Sequence, residues 1–133
     1  MLEKKDSMSN YVQEGKNEGK TRRVYGCSGC ADVGEVADLV SRKLRATKFA
    51  DPSGSCLAGI GANIEHLIKA AKDVDEVITI DGCPMLCAKK IMDNHNISAK
   101  SFLLTELGLE KGKTKVTDEI VEKMCNKIKT ACQ

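Results

Sequence analysis

Aromatic side chains, long apolar runs and an excess of one charge are all scarce in this 133-residue sequence. Two tyrosines, two phenylalanines and no tryptophan are too few for the stacking platforms that bind single-stranded nucleic acid. The formal net charge of +2 gives no basic face for nucleic acid either. No apolar stretch approaches the roughly 18 residues of a membrane span, and no apolar export segment opens the chain. We expect a soluble, cytoplasmic protein without nucleic-acid or membrane partners.

Cysteine, in contrast, is abundant, with seven residues. In a chain without an export signal, clustered cysteines indicate a reducing compartment, where they bind metal or do redox chemistry more often than they form structural disulfides. The odd number agrees, because complete pairing is impossible.

The sequence divides into a polar tail and one domain. Residues 1–21 mix Lys, Glu, Asn, Ser and Gly without a sustained period, which predicts a flexible tail. Residues 22–133 alternate short apolar runs with helical periodicity, the pattern of strand-helix units around a mostly parallel sheet. We therefore predict a single α/β domain, with helices flanking a small sheet of flavodoxin-like or Rossmann-like winding.

Four strand-helix units can be drawn along this domain. The predicted strands are Arg23–Tyr25, a weak Ser55–Ala58, the β-branched Glu76–Ile80, and Ser101–Leu104. Helices are expected over Val33–Leu44, over Ile64–Ala71, and from about Thr117 onward. Pro84 suits the first turn of a further helix.

Five cysteines fall in three clumps, each where an apolar run gives way to a helical pattern: Cys27 with Cys30, Cys56 alone, and Cys83 with Cys87. Because parallel strands end at one edge of the sheet, where ligands of open α/β sheets bind, the clumps should converge. A C-x-x-C pair with an internal glycine lets two thiolates reach one ion from a tight turn. If Cys83 caps a helix, Cys87 lies one turn inside on the same face, at the positive end of the helix dipole.

Two such pairs suit a site of four thiolates. Zinc and iron-sulfur clusters both use this ligand set, and spacing alone does not separate them. Cys56 is a fifth candidate metal residue, expected near the site as an exchangeable ligand, a resolving thiol or a bystander. A third interpretation is a thiol-based redox enzyme that uses Cys56 or a C-x-x-C pair as its nucleophile.

Four stretches of the sequence resemble one known family: Cys27-Ser28-Gly29-Cys30, Cys56-Leu57-Ala58-Gly59-Ile60-Gly61, Ile80-Asp81-Gly82-Cys83-Pro84 and Cys87-Ala88-Lys89-Lys90. The family is the prokaryotic DGC domain, named for its Asp-Gly-Cys motif, and the resemblance runs from about Val24 to Gly112. It implies a zinc site carried by Cys27, Cys30, Cys83 and Cys87, with the Cys56 motif as a further family feature.

The other notable residues are expected to have structural roles. Cys125 and Cys132 fall on the apolar stripe of the last helix, where cysteine usually packs in the core. His66 and His95 stand among polar neighbours and are expected to face solvent. Asp81 is expected to accept hydrogen bonds from the turn that follows it, and also to orient a ligand cysteine.

Charged residues near the cysteine clumps do not indicate a further function. The lysines between Gly108 and Lys115 form a charged loop that is expected to be solvated. Neither Cys56 nor Cys83 is followed by the arginine that a phosphatase-type loop needs. We predict a metal-binding protein that holds one zinc ion on cysteine thiolates at the carboxyl edge of the sheet. A redox or sensing role stays open, as do an iron-sulfur electron-transfer protein, a thiol enzyme and the identity of any protein partner.

Overall fold

The structure is a computed structural model that describes residues 19–133. Three strands and five α-helices alternate along these residues. In chain order they are β1 (Arg22–Gly26), α1 (Asp32–Ala46), α2 (Leu57–Gly61), α3 (Glu65–Lys72), β2 (Glu76–Asp81), α4 (Cys87–Asn94), β3 (Lys100–Leu103), a 3-10 helix (Leu104–Leu107) and α5 (Asp118–Ala131). No helix within residues 19–133 combines the length and the apolar composition that a membrane span requires.

The strands form one parallel sheet in the order β1-β2-β3. The central strand β2 carries the β-branched run Val77 to Ile80, which is buried on both faces as the middle of a parallel sheet requires. The predicted α/β class and the parallel sheet are confirmed. The sequential strand order matches one half of a Rossmann-like sheet, and the described strands contain no reversal of order.

Helices cover both faces of the sheet because side chains alternate along each strand. Val24, Ile78 and Ile80 point to one face, where they pack with apolar residues of α1 and α5. Tyr25 and Val77 point to the opposite face, where the cluster includes residues of α2, α3 and α4. These two layers fix where the strand ends lie, and therefore where the cysteine loops lie.

The weak second strand was a wrong prediction. Ser55–Ala58 forms no strand: Cys56 is the N-cap of α2, with φ −110° and ψ 102°, and Leu57 begins that helix. The run is too short for its period to separate helix from strand. β1 and β2 pair directly, so no strand lies between them in the sheet.

The predicted tail is only partly within the described residues. Residues 1–18 lie outside them. Thr21 was assigned to the tail, but its backbone N–H donates to the Asp75 carboxylate at 3.0 Å, and its hydroxyl accepts from the Asp75 N–H at 3.0 Å. These two bonds tie Thr21 to the residue before β2.

Candidate functional site

The ends of β1 and β2 bring two of the cysteine loops together. The backbone N–H of Cys27 donates to the Ile80 carbonyl at 3.0 Å, which continues the sheet beyond Gly26. The N–H of Gly82 in turn donates to the Cys27 sulfur at 3.4 Å. The Cys-Ser-Gly-Cys loop after β1 is thus joined directly to the Asp-Gly-Cys turn after β2.

Four cysteines line one cavity at this edge, with a volume of about 220 Å³; we call it the thiol pocket, and its cysteines are Cys27, Cys30, Cys83 and Cys87. All four are free thiols. Cys30 and Cys87 are exposed, while Cys27 and Cys83 are half-buried. The structure therefore brings together the four residues predicted as the tetrahedral ligand set, whereas Cys56, the fifth candidate ligand, does not line this pocket. The role of these cysteines as ligands stays a prediction.

The thiols share this pocket without forming a coordination sphere. Within residues 19–133, no group of three or more His, Cys, Asp or Glu side chains is arranged to hold a metal ion. The donor type nevertheless fits zinc, because four thiols from two loops face one small cavity. Holding an ion would require the side chains of both loops to turn toward a common centre.

Gly82 is required by the close approach of the Asp-Gly-Cys turn to α1. A Cβ at this position would lie 2.5 Å from both the carbonyl carbon and the oxygen of Val33, and 2.7 Å from the Gly34 nitrogen. Gly34 is itself needed, since a Cβ there would lie 2.8 Å from the Gly29 carbonyl oxygen. The first turn of α1 is therefore held tightly between the two cysteine loops.

Asp81 holds the start of α4. Its carboxylate is 1% exposed and accepts the N–H of Ala88 at 2.8 Å and the N–H of Lys89 at 3.1 Å. These are N–H groups of the first helical turn, which otherwise lack partners. Burial raises the pKa of Asp81, and the two hydrogen bonds partly oppose that rise. This acidic residue of the motif thus fixes the helix that carries Cys87.

The predicted capping role of Cys83 was wrong. α4 begins at Cys87, with Leu86 as N-cap in a left-handed conformation at φ 55°. Cys83 instead begins a turn, in which the Leu86 N–H donates to its carbonyl at 3.1 Å. Asp81 was expected to bond that turn, but it caps α4 from the preceding strand, so Cys83 and Cys87 do not share a helix face.

The charged loop after Gly108 reaches the thiol pocket, contrary to the expectation that it is merely solvated. Asp32, the first residue of α1, accepts the N–H groups of Gly112 and Thr114, each at 3.0 Å. These bonds lower the pKa of Asp32. They hold the loop so that the Lys111 ammonium donates to the Cys83 sulfur at 3.6 Å. A positive charge therefore lies next to one of the four thiols.

The surroundings of Cys27 disfavour its thiolate form. Burial raises its pKa, and the N–H groups of Gly82 and Gly29 oppose this rise. The carboxylate of Asp81 and the neighbouring Cys87 add to it. Cys27 is thus held protonated in the metal-free protein, so a metal that binds there must displace its proton.

Cys56 lies at a neighbouring cavity that Cys27 also lines. It is exposed and lines a second cavity of about 450 Å³, together with Cys27 and Cys87. Arg42 and Arg45 of α1 line the same cavity. Neither arginine was predicted from the sequence, because both belong to the charged face of a predicted helix and the cavity forms only in the folded chain.

The remaining candidates lie away from these cavities. Cys125 and Cys132 are 1% and 4% exposed and belong to the core, as predicted. His66 is exposed, as expected, whereas His95 is half-buried at the end of α4. Neither histidine lines the thiol pocket.

Comparison with known proteins gives a family for this arrangement. The family model of the DGC domain matches residues 23–128. A curated protein of Pseudomonas aeruginosa, the anaerobic and virulence modulator AnvM, is 34% identical over 89 residues. That alignment covers 66% of this chain and 66% of the relative. No solved structure gives a significant match.

Proposed function

Because the chain belongs to the DGC-domain family, we propose that it binds one zinc ion through cysteine thiolates at the carboxyl edge of the sheet. The proposed ligands are the four cysteines of the thiol pocket, Cys27, Cys30, Cys83 and Cys87. Zinc prefers four such ligands in closed sites, and it would link the loop after β1 to the loop after β2.

The observation that carries this proposal is the convergence of two distant thiol pairs on one cavity. The pairs are separated by more than fifty residues in the sequence, and only the adjacency of β1 and β2 brings them together. Cysteines that merely filled the core would be buried, as Cys125 is, whereas Cys30 and Cys87 are exposed. This difference in exposure favours ligands over packing residues.

The surroundings of the pocket suit a bound metal thiolate. Four thiolates and one zinc ion carry a net charge of −2, so nearby positive charge stabilises the group. Lys111 supplies an ammonium at 3.6 Å from the Cys83 sulfur. α4 begins at Cys87 and presents the positive end of its dipole there. Asp81, on the wall of the pocket, keeps α4 in position through its two hydrogen bonds.

As part of the proposal, we extend to this chain the role of a modulator, which is the role in the name of its relative. Two of the proposed ligands are exposed and therefore open to oxidants, which suits a site that responds to the redox state of a cytoplasm. Cys56, next to the ligands but outside the set of four, is the proposed reactive thiol.

Metal analysis of anaerobically purified protein tests the proposal. We expect about one zinc per chain, and serine variants of Cys27, Cys30, Cys83 or Cys87 should each lose most of it. Cys125→Ser is the matched control, because that thiol is buried in the core and should leave the zinc content unchanged. Stoichiometric iron and sulfide with visible absorbance would favour an iron-sulfur cluster instead. Protein without metal, in which all five thiols at the two cavities alkylate freely, would refute a metal site.

A further inference from the structure

A second cavity lies beside the thiol pocket and has a different chemistry. We call it the arginine pocket; its volume is about 450 Å³ and its lining includes Arg42, Arg45, Cys27, Cys56 and Cys87. This volume lies within the range of small-molecule sites. The hydroxyl residues Ser28, Ser41 and Ser55 line it as well.

The charges on its wall do not cancel. Arg42 pairs with Asp38, Nε to Oδ2 at 2.9 Å. Arg45 donates to the Val24 carbonyl at 3.0 Å and has no carboxylate partner within residues 19–133. Asp38 is the only acidic residue of the lining, so the wall keeps one positive charge in excess. Burial lowers the pKa of Arg45, and an anion placed beside it would offset that cost.

The thiol chemistry of this pocket centres on Cys56. Its side chain is exposed at the N-cap of α2, on the same cavity as the unpaired Arg45 guanidinium. A guanidinium is a preferred partner for carboxylates, which it can bind through two parallel hydrogen bonds. A ligand that carries both a carboxylate and a sulfur could therefore meet both groups at once.

We propose that the arginine pocket binds small anionic disulfides and that Cys56 exchanges with them. The Cys56 thiolate attacks one sulfur of the disulfide, a new bond forms between Cys56 Sγ and that sulfur, and the original S–S bond breaks. The departing thiolate takes up a proton from water. The products are a mixed disulfide on Cys56 and one small thiol, with no net oxidant beyond the disulfide itself.

This inference goes beyond zinc binding and does not depend on it, since Cys56 is not among the four proposed ligands. Cys27 and Cys87 line both cavities, so the two sites are neighbours. Each measurement is therefore made on metal-free protein and again after zinc is added. A chain that binds no zinc can still pass this test, and a zinc protein can still fail it.

The test measures adduct formation on Cys56 by mass spectrometry. The anionic probe is oxidised glutathione, and the neutral probe is 2-hydroxyethyl disulfide. We expect Arg45→Gln to slow the glutathione reaction at least about fivefold. This is the effect of losing one contact between two opposite unit charges at about 4 Å in water. The reaction with the neutral disulfide should be unchanged, and circular dichroism shows separately whether the variant is folded.

Two further variants sharpen the test. Arg45→Lys keeps the charge and should retain most of the glutathione rate, whereas Lys72→Gln removes an exposed charge from the end of α3 and should have no effect. The proposal is overturned if Arg45→Gln slows both probes equally, if it slows neither, or if glutathione modifies Cys30 as fast as Cys56.

Discussion

Replacing Gly82 with alanine should destabilise the fold and disturb the site together. The added methyl would lie 2.5 Å from the carbonyl carbon and oxygen of Val33. An ordinary contact needs about 3.4 Å or more, so one of the two backbones must move by roughly 1 Å. Both belong to rigid elements, since Gly82 follows the central strand and Val33 lies in the first turn of α1.

The expected cost follows from this geometry. Inserting a methyl into tightly packed surroundings costs about 1–3 kcal/mol, and the gain from a stiffer unfolded chain returns about 0.4–1 kcal/mol. The net loss should be about 1–2 kcal/mol, a fall in Tm of roughly 3–10 °C for a chain of this length. The methyl also pushes the loop of Cys83 away from Cys27, so zinc binding should weaken.

The matched control is Gly29→Ala, in the other cysteine loop. A Cβ there would meet nothing within 4 Å, and Gly29 does not adopt the left-handed conformation. Its stability should change by less than about 0.5 kcal/mol or rise slightly. Both variants are compared by urea denaturation of reduced, metal-free protein, so that bound metal adds nothing to either value. Equal stabilities would refute the close packing of the Asp-Gly-Cys turn on α1.

Three further predictions concern charge and pH. Asp81→Asn keeps only one acceptor for the two N–H groups at the start of α4. We therefore expect urea denaturation to show that the free energy of unfolding falls by about 1–3 kcal/mol. A fall of less than about 0.5 kcal/mol would contradict the capping role of Asp81. Asp32→Asn keeps only one of the two carboxylate acceptors, so it should loosen the loop that carries Lys111 and speed tryptic cleavage there; unchanged cleavage would count against the anchor. In the wild-type chain the pKa of Asp32 is lowered, so the bonds of Asp32 to the loop contribute fully to stability above its ordinary pKa of 3.8. This contribution is lost as the pH falls through the lower pKa of the folded state. Burial raises the pKa of Cys27 and Cys125 above the ordinary 9.0, so their contribution to stability is complete below that value and is lost as the pH rises through the folded value. The urea midpoint of reduced, metal-free protein should therefore fall as the pH rises above 9.0, and a constant midpoint would be inconsistent with this burial.

The parts of the fold that local pattern determines were predictable from the sequence. The β-branched run of β2 and the apolar stripe of α5 each fixed an element, and the apolar stripe correctly assigned Cys125 to the core. Convergence of the cysteines followed from one rule, that parallel strands end at the same edge. The strand predicted around Cys56 was wrong because the five-residue helix that forms there is too short to show a helical period in the sequence.

What the sequence did not reveal depends on contacts between separate elements of the fold. Asp81 caps α4 from the preceding strand, so no capping residue stands at the helix start itself. Lys111 reaches Cys83 only because Asp32, about eighty residues earlier, anchors its loop. Arg45 and Cys56 line one cavity only because the fold places α1 and the start of α2 on the same side of the sheet edge. Each of these contacts is tertiary, and none changes the local pattern on which sequence prediction depends.

The most direct test of the central proposal is X-ray absorption at the zinc edge on the protein as purified anaerobically. Four sulfur ligands at about 2.3 Å are predicted, with a shell that loses sulfur in the Cys83→Ser variant and is unchanged in Cys125→Ser. A first shell dominated by nitrogen or oxygen, or an unchanged shell in Cys83→Ser, would contradict the proposed site of four thiolates.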